Sequence, residues 1–175
     1  MTHSIKTQGH SEQSRTMIKK FFKNKGFMTV EVLIGISIIT ISILASMAVA
    51  QKSIYVSRQA FHFTQANFLL EEGAEVVRIA RDNNWSNISA LTLGTDYYLL
   101  FSSGSWSLSS TPSTVGIFTR KINIENVNRD NITNDISGTG TVDNGTKLVT
   151  ITVSWIEGGT IINKTLSFYI LDIFS

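Results

Sequence analysis

The longest hydrophobic stretch of the chain lies near its N-terminus, where no charged residue occurs from Val32 to Ala50. At about 1.5 Å per helical residue, this run approaches the ~30 Å thickness of a bilayer core. The pattern therefore predicts a membrane-spanning helix. Glu31 lies at the edge of this run, and an acid there is either a functional group or a carboxylate that stays among the headgroups. The residues alone leave both interpretations open.

Beyond Gln51 the pattern becomes amphipathic, which predicts that the helix continues past the membrane as far as Arg81. No proline interrupts the stretch, so we expect one helix from Phe27 to Arg81 without a proline kink. Apolar residues recur at helical spacing, and we expect one face of the helix to be formed by Ile54, Phe61, Phe68, Leu69, Val76 and Ile79.

The C-terminal half has the alternation of β-strands. The clearest strands are expected at Val115–Asn126, Lys147–Glu157 and Thr160–Leu171, with a two-residue turn at Gly158-Gly159 between the last two. Shorter strands are expected at Tyr97–Phe101 and Trp106–Leu108, and a polar loop at residues 128–144. These elements predict an α+β fold in which a long N-terminal helix packs against a small antiparallel β-sheet.

Charge is unevenly distributed along the 175 residues. The segment before Gly26 has one acid, Glu12, and its bases are Lys6, Arg15, Lys19, Lys20, Lys23 and Lys25. A basic segment before a hydrophobic span predicts a cytoplasmic N-terminus and a C-terminal part outside the membrane. Residues 1–18 are polar and unpatterned, so we expect them to be disordered. A nucleic-acid-binding arm is the less favoured explanation of the charge, and no nucleic-acid partner is predicted.

The residues around the start of the hydrophobic run resemble the class III signal of type IV pilins and pseudopilins. They are Lys23-Asn24-Lys25-Gly26 followed by Phe27-Met28-Thr29-Val30-Glu31 and the apolar span. The resemblance implies cleavage by a prepilin peptidase after Gly26 and methylation of the new N-terminal Phe27. It also implies that Glu31 pairs with an N-terminal amine during filament assembly, and that the fold is pilin-like. The implied organisation is a leader (1–26), a transmembrane and assembly half of the helix (27–51), an amphipathic half (52–85) and a β head (86–175).

Other chemistry finds little support in the sequence. His62 has no neighbouring acid pair on its helix face, which favours a packing or surface role over catalysis. The loop acids Asp130, Asp135 and Asp143 do not have EF-hand spacing, which favours a solvated loop over calcium binding. The cluster of Glu71, Glu72 and Glu75 is interpreted as a subunit-facing or solvated patch. The chain has no cysteine, and no catalytic residue, metal or cofactor is predicted.

These features favour a structural protein over an enzyme. The expected function is that of a subunit, a minor pilin or pilin-like protein, of a type IV pilus or related filament. Its expected partners are the membrane, prepilin peptidase and other pilin subunits, with the processed protein at the pilus or cell surface. Two alternatives remain open: a type II secretion pseudopilin, and a signal-anchored binding module or enzyme that does not assemble.

Overall fold

A computed structural model describes residues 10–173, and the side chains of residues 27–173. The protein is α+β, and the chain divides into two compact units, Met1–Val56 and Ser57–Ser175. The helices are α1 (His10–Asn83) and α2 (Ser86–Ser89). The strands are β1 (Tyr98–Ser102), β2 (Ser105–Ser109), β3 (Thr114–Val115), β4 (Phe118–Arg129), β5 (Ile136–Ser137), β6 (Thr141–Glu157) and β7 (Thr160–Leu171).

Helix α1 begins earlier than predicted. It starts at His10 instead of near Phe27, so the prediction of disorder was wrong for residues 10–18, while residues 1–9 lie outside the described part of the chain. No proline or glycine occurs from His10 to Lys25, and the Lys, Gln, Glu, Met and Arg residues there favour helix. The C-terminal end at Asn83 agrees with the expected end near Arg81 within the usual uncertainty of helix boundaries.

The strands form two antiparallel sheets. The larger has the order β3-β4-β6-β7 with β5 paired to β4, and β1 and β2 form a separate two-stranded sheet. The expected strand Thr160–Leu171 is confirmed with the same bounds. The expected turn is also confirmed, because Glu157 pairs with Thr160 across Gly158 and Gly159. Both glycines have positive φ, 57° and 82°, as a type I′ turn requires.

The expected loop at residues 128–144 is partly wrong, because strands extend into it from both sides. Strand β4 continues to Arg129, and β6 already begins at Thr141. A register shift between Asn126 and Val127 allows the pairing to continue through the polar sequence. Backbone pairing needs no apolar side chain, so polarity alone did not mark the end of the strand.

The side of α1 that packs on the sheet was also predicted wrongly. Its buried residues are Ala66, Leu70, Gly73, Ala74, Val76 and Val77, whereas Ile54, Phe61, Phe68 and Ile79 are exposed. Of the six expected residues, Val76 is buried and Leu69 is half-buried against the core. Small residues allow the helix backbone to approach the sheet: a Cβ added to Gly73 lies 3.2 Å from side-chain carbons of Ile151. The face of α1 that packs on the sheet is therefore the one whose small residues allow the helix backbone to come close, and not the one with the largest apolar side chains.

The core of the second unit lies between this face of α1 and the inner face of β4 and β6. The alternation predicted for β4 and β6 is confirmed, and the innermost residues are Ile122, Ile124, Val149, Ile151 and Val153, each 0% exposed. Trp155 packs edge-on against Phe63 of α1 and Phe118 of β4, with ring centroids 5.2 and 5.5 Å apart. The second unit therefore contains a closed apolar core of its own.

Candidate functional site

The N-terminal part of α1 is a helix whose apolar side chains have no partner within the described chain. Between Phe27 and Gln51 every residue except Gly35 is exposed. The helix is long and apolar enough to cross a membrane, with a mean hydropathy of 2.5 over its most apolar window, none of which is buried. A helix that is hydrophobic on all sides requires an apolar environment around it. We call residues 27–51 the apolar segment.

Four hydroxyl groups within the apolar segment are satisfied by its own backbone. Ser37 donates to the carbonyl oxygen of Leu33 at 2.7 Å, and Thr40 donates to that of Ile36 at 2.8 Å. Ser42 and Ser46 make the same bond one turn back. An unsatisfied polar group costs several kcal/mol in hydrocarbon, as an order of magnitude, so these bonds make the segment compatible with lipid or with a dry helix interface.

Glu31 is the only ionisable residue of the apolar segment. It is exposed, and it takes part in none of the ion pairs found among the described side chains. Phe27 lies four residues earlier, hence one helical turn away on the same side, and is 81% exposed. Gly26 lies within the helical backbone. The three residues of the predicted processing and assembly site are thus adjacent on one stretch of α1.

The acidic cluster on α1 is solvated, which is one of its two expected interpretations: the side chains of Glu72 and Glu75 are 42% and 62% exposed. Glu72 forms an ion pair with Arg120 of β4 at 2.5 Å, and Glu75 forms one with Arg78. Glu71 remains exposed. Two of the three acids are therefore neutralised within the second unit.

Arg120 makes structural contacts that the sequence did not reveal. It is 4% exposed, and besides Glu72 its guanidinium donates to the backbone oxygen of Leu69 at 3.1 Å. It also lies over the ring of Trp106, 5.8 Å from the centroid. The available signal was a charged residue at an inward position of an alternating strand. The arginine ties α1 to β4 and to the β1–β2 sheet.

His62 has an acidic partner that is distant in sequence. Its Nδ1 lies 2.5 Å from Oε2 of Glu157, and the indole Nε1 of Trp155 donates to the same oxygen at 3.3 Å. The hydrogen bond from His62 lowers the pKa of Glu157 below its usual range, with a smaller contribution from Trp155. The pair is enclosed by core aromatics, with Phe118 edge-on to the imidazole at 6.1 Å. It connects α1 to the tip of the β6–β7 hairpin.

Of the three acids in the predicted loop, Asp130 and Asp143 make hydrogen bonds with nearby residues of the loop and of the adjoining strands β4 and β6. Asp130 accepts hydrogen bonds from the backbone amides of Ile132 and Thr133. Asp143 accepts from Arg129 at 2.6 Å and from Thr146 at 2.7 Å. These bonds lower the pKa of both carboxyls, mainly through Thr133 for Asp130 and through Thr146 for Asp143. Within residues 27–173 no three His, Cys, Asp or Glu side chains come together in a group that could hold a metal ion.

The apolar segment with its single carboxylate is the feature that the fold leaves without an internal role. Comparison with protein-family models, with curated proteins and with solved structures found no match to this chain.

Proposed function

We propose that this chain is a structural subunit of a type IV pilus or a related filament, not an enzyme. In this proposal a prepilin peptidase removes residues 1–26, and the new N-terminal Phe27 is methylated. The apolar segment first holds the subunit in the cytoplasmic membrane with its head outside. It then moves into a bundle of helices from other subunits.

The observation that carries the proposal is the exposure of the large apolar side chains on all sides of the apolar segment. Its isoleucines and leucines are about 55–67% exposed, and burying such a side chain fully stabilises by about 1.5–3 kcal/mol. The chain supplies no surface to cover them among its described residues, so lipid or other helices must do so. A transfer from lipid to a helix bundle keeps this surface dry throughout.

Glu31 gives the bundle a register. An unpaired carboxylate in an apolar bundle costs several kcal/mol, as does an unpaired amine. Cleavage after Gly26 creates an amine at Phe27, one turn from the acid of its own chain and equally available to the acid of a neighbour. Only a pair between chains depends on the axial position of the subunits. In this proposal the amine of one subunit therefore pairs with Glu31 of the next, and a subunit that is shifted along the axis loses that pair.

The test is incorporation of a Glu31→Ala variant into filaments in cells that carry the assembly machinery. Loss of a partner from a buried ion pair costs about 3–5 kcal/mol, and 3 kcal/mol corresponds to roughly a hundredfold change in equilibrium. We therefore expect a near-complete loss from sheared filaments, with unchanged amounts in membranes. Quantitative immunoblots of the two fractions measure both.

The matched control is Glu71→Ala. Glu71 is an exposed acid on the same helix and belongs to none of the ion pairs found among the described side chains. This variant is expected to enter filaments normally. Normal incorporation of Glu31→Ala, or equal loss of both variants, contradicts the role proposed for Glu31.

A further inference from the structure

Two turns at one end of the larger sheet carry exposed aliphatic side chains. In the β6–β7 hairpin, Ile156 pairs with Ile161 next to the turn, and the two residues are 69% and 67% exposed. In the β3–β4 turn, Val115 and Ile117 are also exposed. Strands β4 and β6 pair in antiparallel fashion, so the start of β4 lies beside the end of β6 and the two turns are neighbours. We call these four residues the aliphatic tip.

The two turns of the aliphatic tip present no charge to solvent. Their segments, residues 113–119 and 154–163, contain a single charged residue, Glu157. This acid is buried and bonded to His62 of α1, so its carboxylate is directed into the second unit and away from the tip. Uncharged turns with large exposed aliphatic side chains are typical of surfaces that contact a protein or a membrane.

The opposite end of the sheet has a different character. Ile132 and Ile136 are exposed there as well, but Asp130, Asp135 and Asp143 lie among them. Strand β4 has 12 residues and separates the two ends by about 35 Å. Because an anionic lipid surface repels carboxylates and attracts bases, the aliphatic tip is the end of the sheet that suits such a surface.

The aliphatic tip is also the end of the second unit that is nearest in the chain to the apolar segment. His62, which is bonded to Glu157 beside the tip, lies seven residues after Tyr55, and seven residues span at most about 25 Å. Lys52 lies over the ring of Tyr55, 5.1 Å from the centroid, and both residue types are typical of the membrane–water boundary at the end of a span. Residues 51–62 contain the bases Lys52 and Arg58 and no acid.

We propose that the aliphatic tip lies in the headgroup region of the bilayer that holds the apolar segment. The aliphatic side chains of the two turns then contact the acyl boundary, while Lys52 and Arg58 face anionic headgroups. Lipid is the occupant because the anchor keeps the tip within reach of the bilayer in every copy of the chain. The inference rests on the membrane anchoring in the proposed function, and it concerns the subunit before assembly.

The absence of cysteine from the chain allows one dye to be attached at a chosen position of the full-length protein. Thr160→Cys places an environment-sensitive fluorophore beside the β6–β7 turn, and Ile132→Cys places it at the opposite end of the sheet. Each labelled chain is reconstituted in vesicles of phosphatidylcholine and phosphatidylglycerol, with and without spin-labelled lipid that quenches the dye on contact. We expect blue-shifted emission and severalfold stronger quenching at position 160 than at position 132.

A substitution within the tip tests the chemistry of the contact. Ile156→Glu, made in the chain labelled at position 160, replaces an exposed aliphatic side chain by an acid that anionic lipid repels. We expect the ratio of membrane-bound to free tips to fall about tenfold. Ile132→Glu is the matched control and should leave the quenching at position 160 unchanged. Both residues are exposed, so the melting temperature of the second unit should be the same in the two variants.

Flotation of the vesicles separates this contact from the anchoring on which it rests. A chain that does not float with the vesicles contradicts the anchoring and, with it, the contact. A floating chain overturns the contact alone if positions 160 and 132 are quenched equally, or if Ile156→Glu is quenched as strongly as the unsubstituted tip. A blue shift at position 160 without quenching by spin-labelled lipid also overturns it, because a second protein chain would then cover the tip.

Discussion

The two units differ in whether their isoleucine side chains are buried. In the second unit, Ser57–Ser175, here called the head, Ile122, Ile124 and Ile151 are 0% exposed. In the apolar segment, Ile38 and Ile39 are each 61% exposed. The head obtains its stability from contacts within the chain. The apolar segment has no such contacts among the described residues, so its environment must come from outside the chain. Substitutions that are matched between the two units test this difference.

The largest expected effect is on the head core. Ile151→Ala removes a fully buried side chain beneath α1, and such a truncation costs about 2–5 kcal/mol of unfolding free energy. The measurement is denaturant unfolding in detergent micelles, followed by tryptophan fluorescence, since Trp85, Trp106 and Trp155 all lie in the second unit. Ile38→Ala is the control and is expected to leave the unfolding free energy of the head unchanged, because Ile38 belongs to the other unit and is 61% exposed. Equal effects of the two substitutions would contradict the comparison.

A smaller effect is expected from the buried arginine. Arg120→Met keeps an apolar stem but removes the hydrogen bonds to Leu69 and Glu72. Because Glu72 is partly exposed, the unfolding free energy should fall by about 1–3 kcal/mol, the cost of losing a charged hydrogen bond. Lys121→Met, which removes an exposed pair with Asp96, should cost less than about 1 kcal/mol. A smaller effect at Arg120 than at Lys121 would show that the buried contact does not hold α1 on the sheet.

The two glycines of α1 provide the next comparison. A methyl group at Gly73 lies 3.2 Å from carbons of Ile151, whereas one at Gly35 has no atom within 4 Å. The crowding costs about 1–3 kcal/mol and outweighs the gain of up to about 1 kcal/mol in helix propensity, so Gly73→Ala should destabilise the head. Gly35→Ala should not, as measured by the same unfolding assay. Stabilisation by Gly73→Ala would mean that Ile151 moves aside easily.

The smallest effect concerns acid stability. The pKa of Glu157 is lowered in the folded head, from a usual value of 4.5, by the hydrogen bond from His62. The pair therefore contributes stability above pH 4.5, and that stability is lost as the pH falls through the lower folded-state pKa. In Glu157→Gln, the melting temperature should therefore fall less steeply as the pH is lowered through this acid range. Glu125→Gln, at an exposed position of β4, should leave the profile unchanged, and identical profiles for both variants would contradict the role of the pair.

Much of the head could be predicted from sequence because alternation and turn chemistry are local signals. The run from Lys147 to Leu171 was correct in its strands, its turn and its alternation. The packing face of α1 was not predicted correctly. Phe61 and Phe68 have more apolar surface area than Ala66 and Gly73, but the area of a side chain does not indicate how closely the helix backbone approaches the sheet. The strand ends near Arg129 depend on pairing across a bulge, which leaves no periodic pattern.

The candidate site shows the same division. Glu31 could be singled out because a lone acid beside an uncharged run is visible in the sequence. The pairs His62–Glu157 and Arg120–Glu72 join residues 95 and 48 positions apart, so only the fold reveals them. The partner proposed for Glu31 belongs to another chain, and its identity rests on the proposed function.

The central claim is that the apolar segment becomes the N-terminus of an assembled subunit. Its most direct test is the intact mass of the protein from cells that carry a prepilin peptidase, together with a Gly26→Ala variant and Gly35→Ala as the matched glycine control. The account predicts that the unsubstituted chain and Gly35→Ala begin at Phe27 with one added methyl group, and that Gly26→Ala keeps the leader. A mass that retains residues 1–26 in the unsubstituted chain, or full processing of Gly26→Ala, would contradict it.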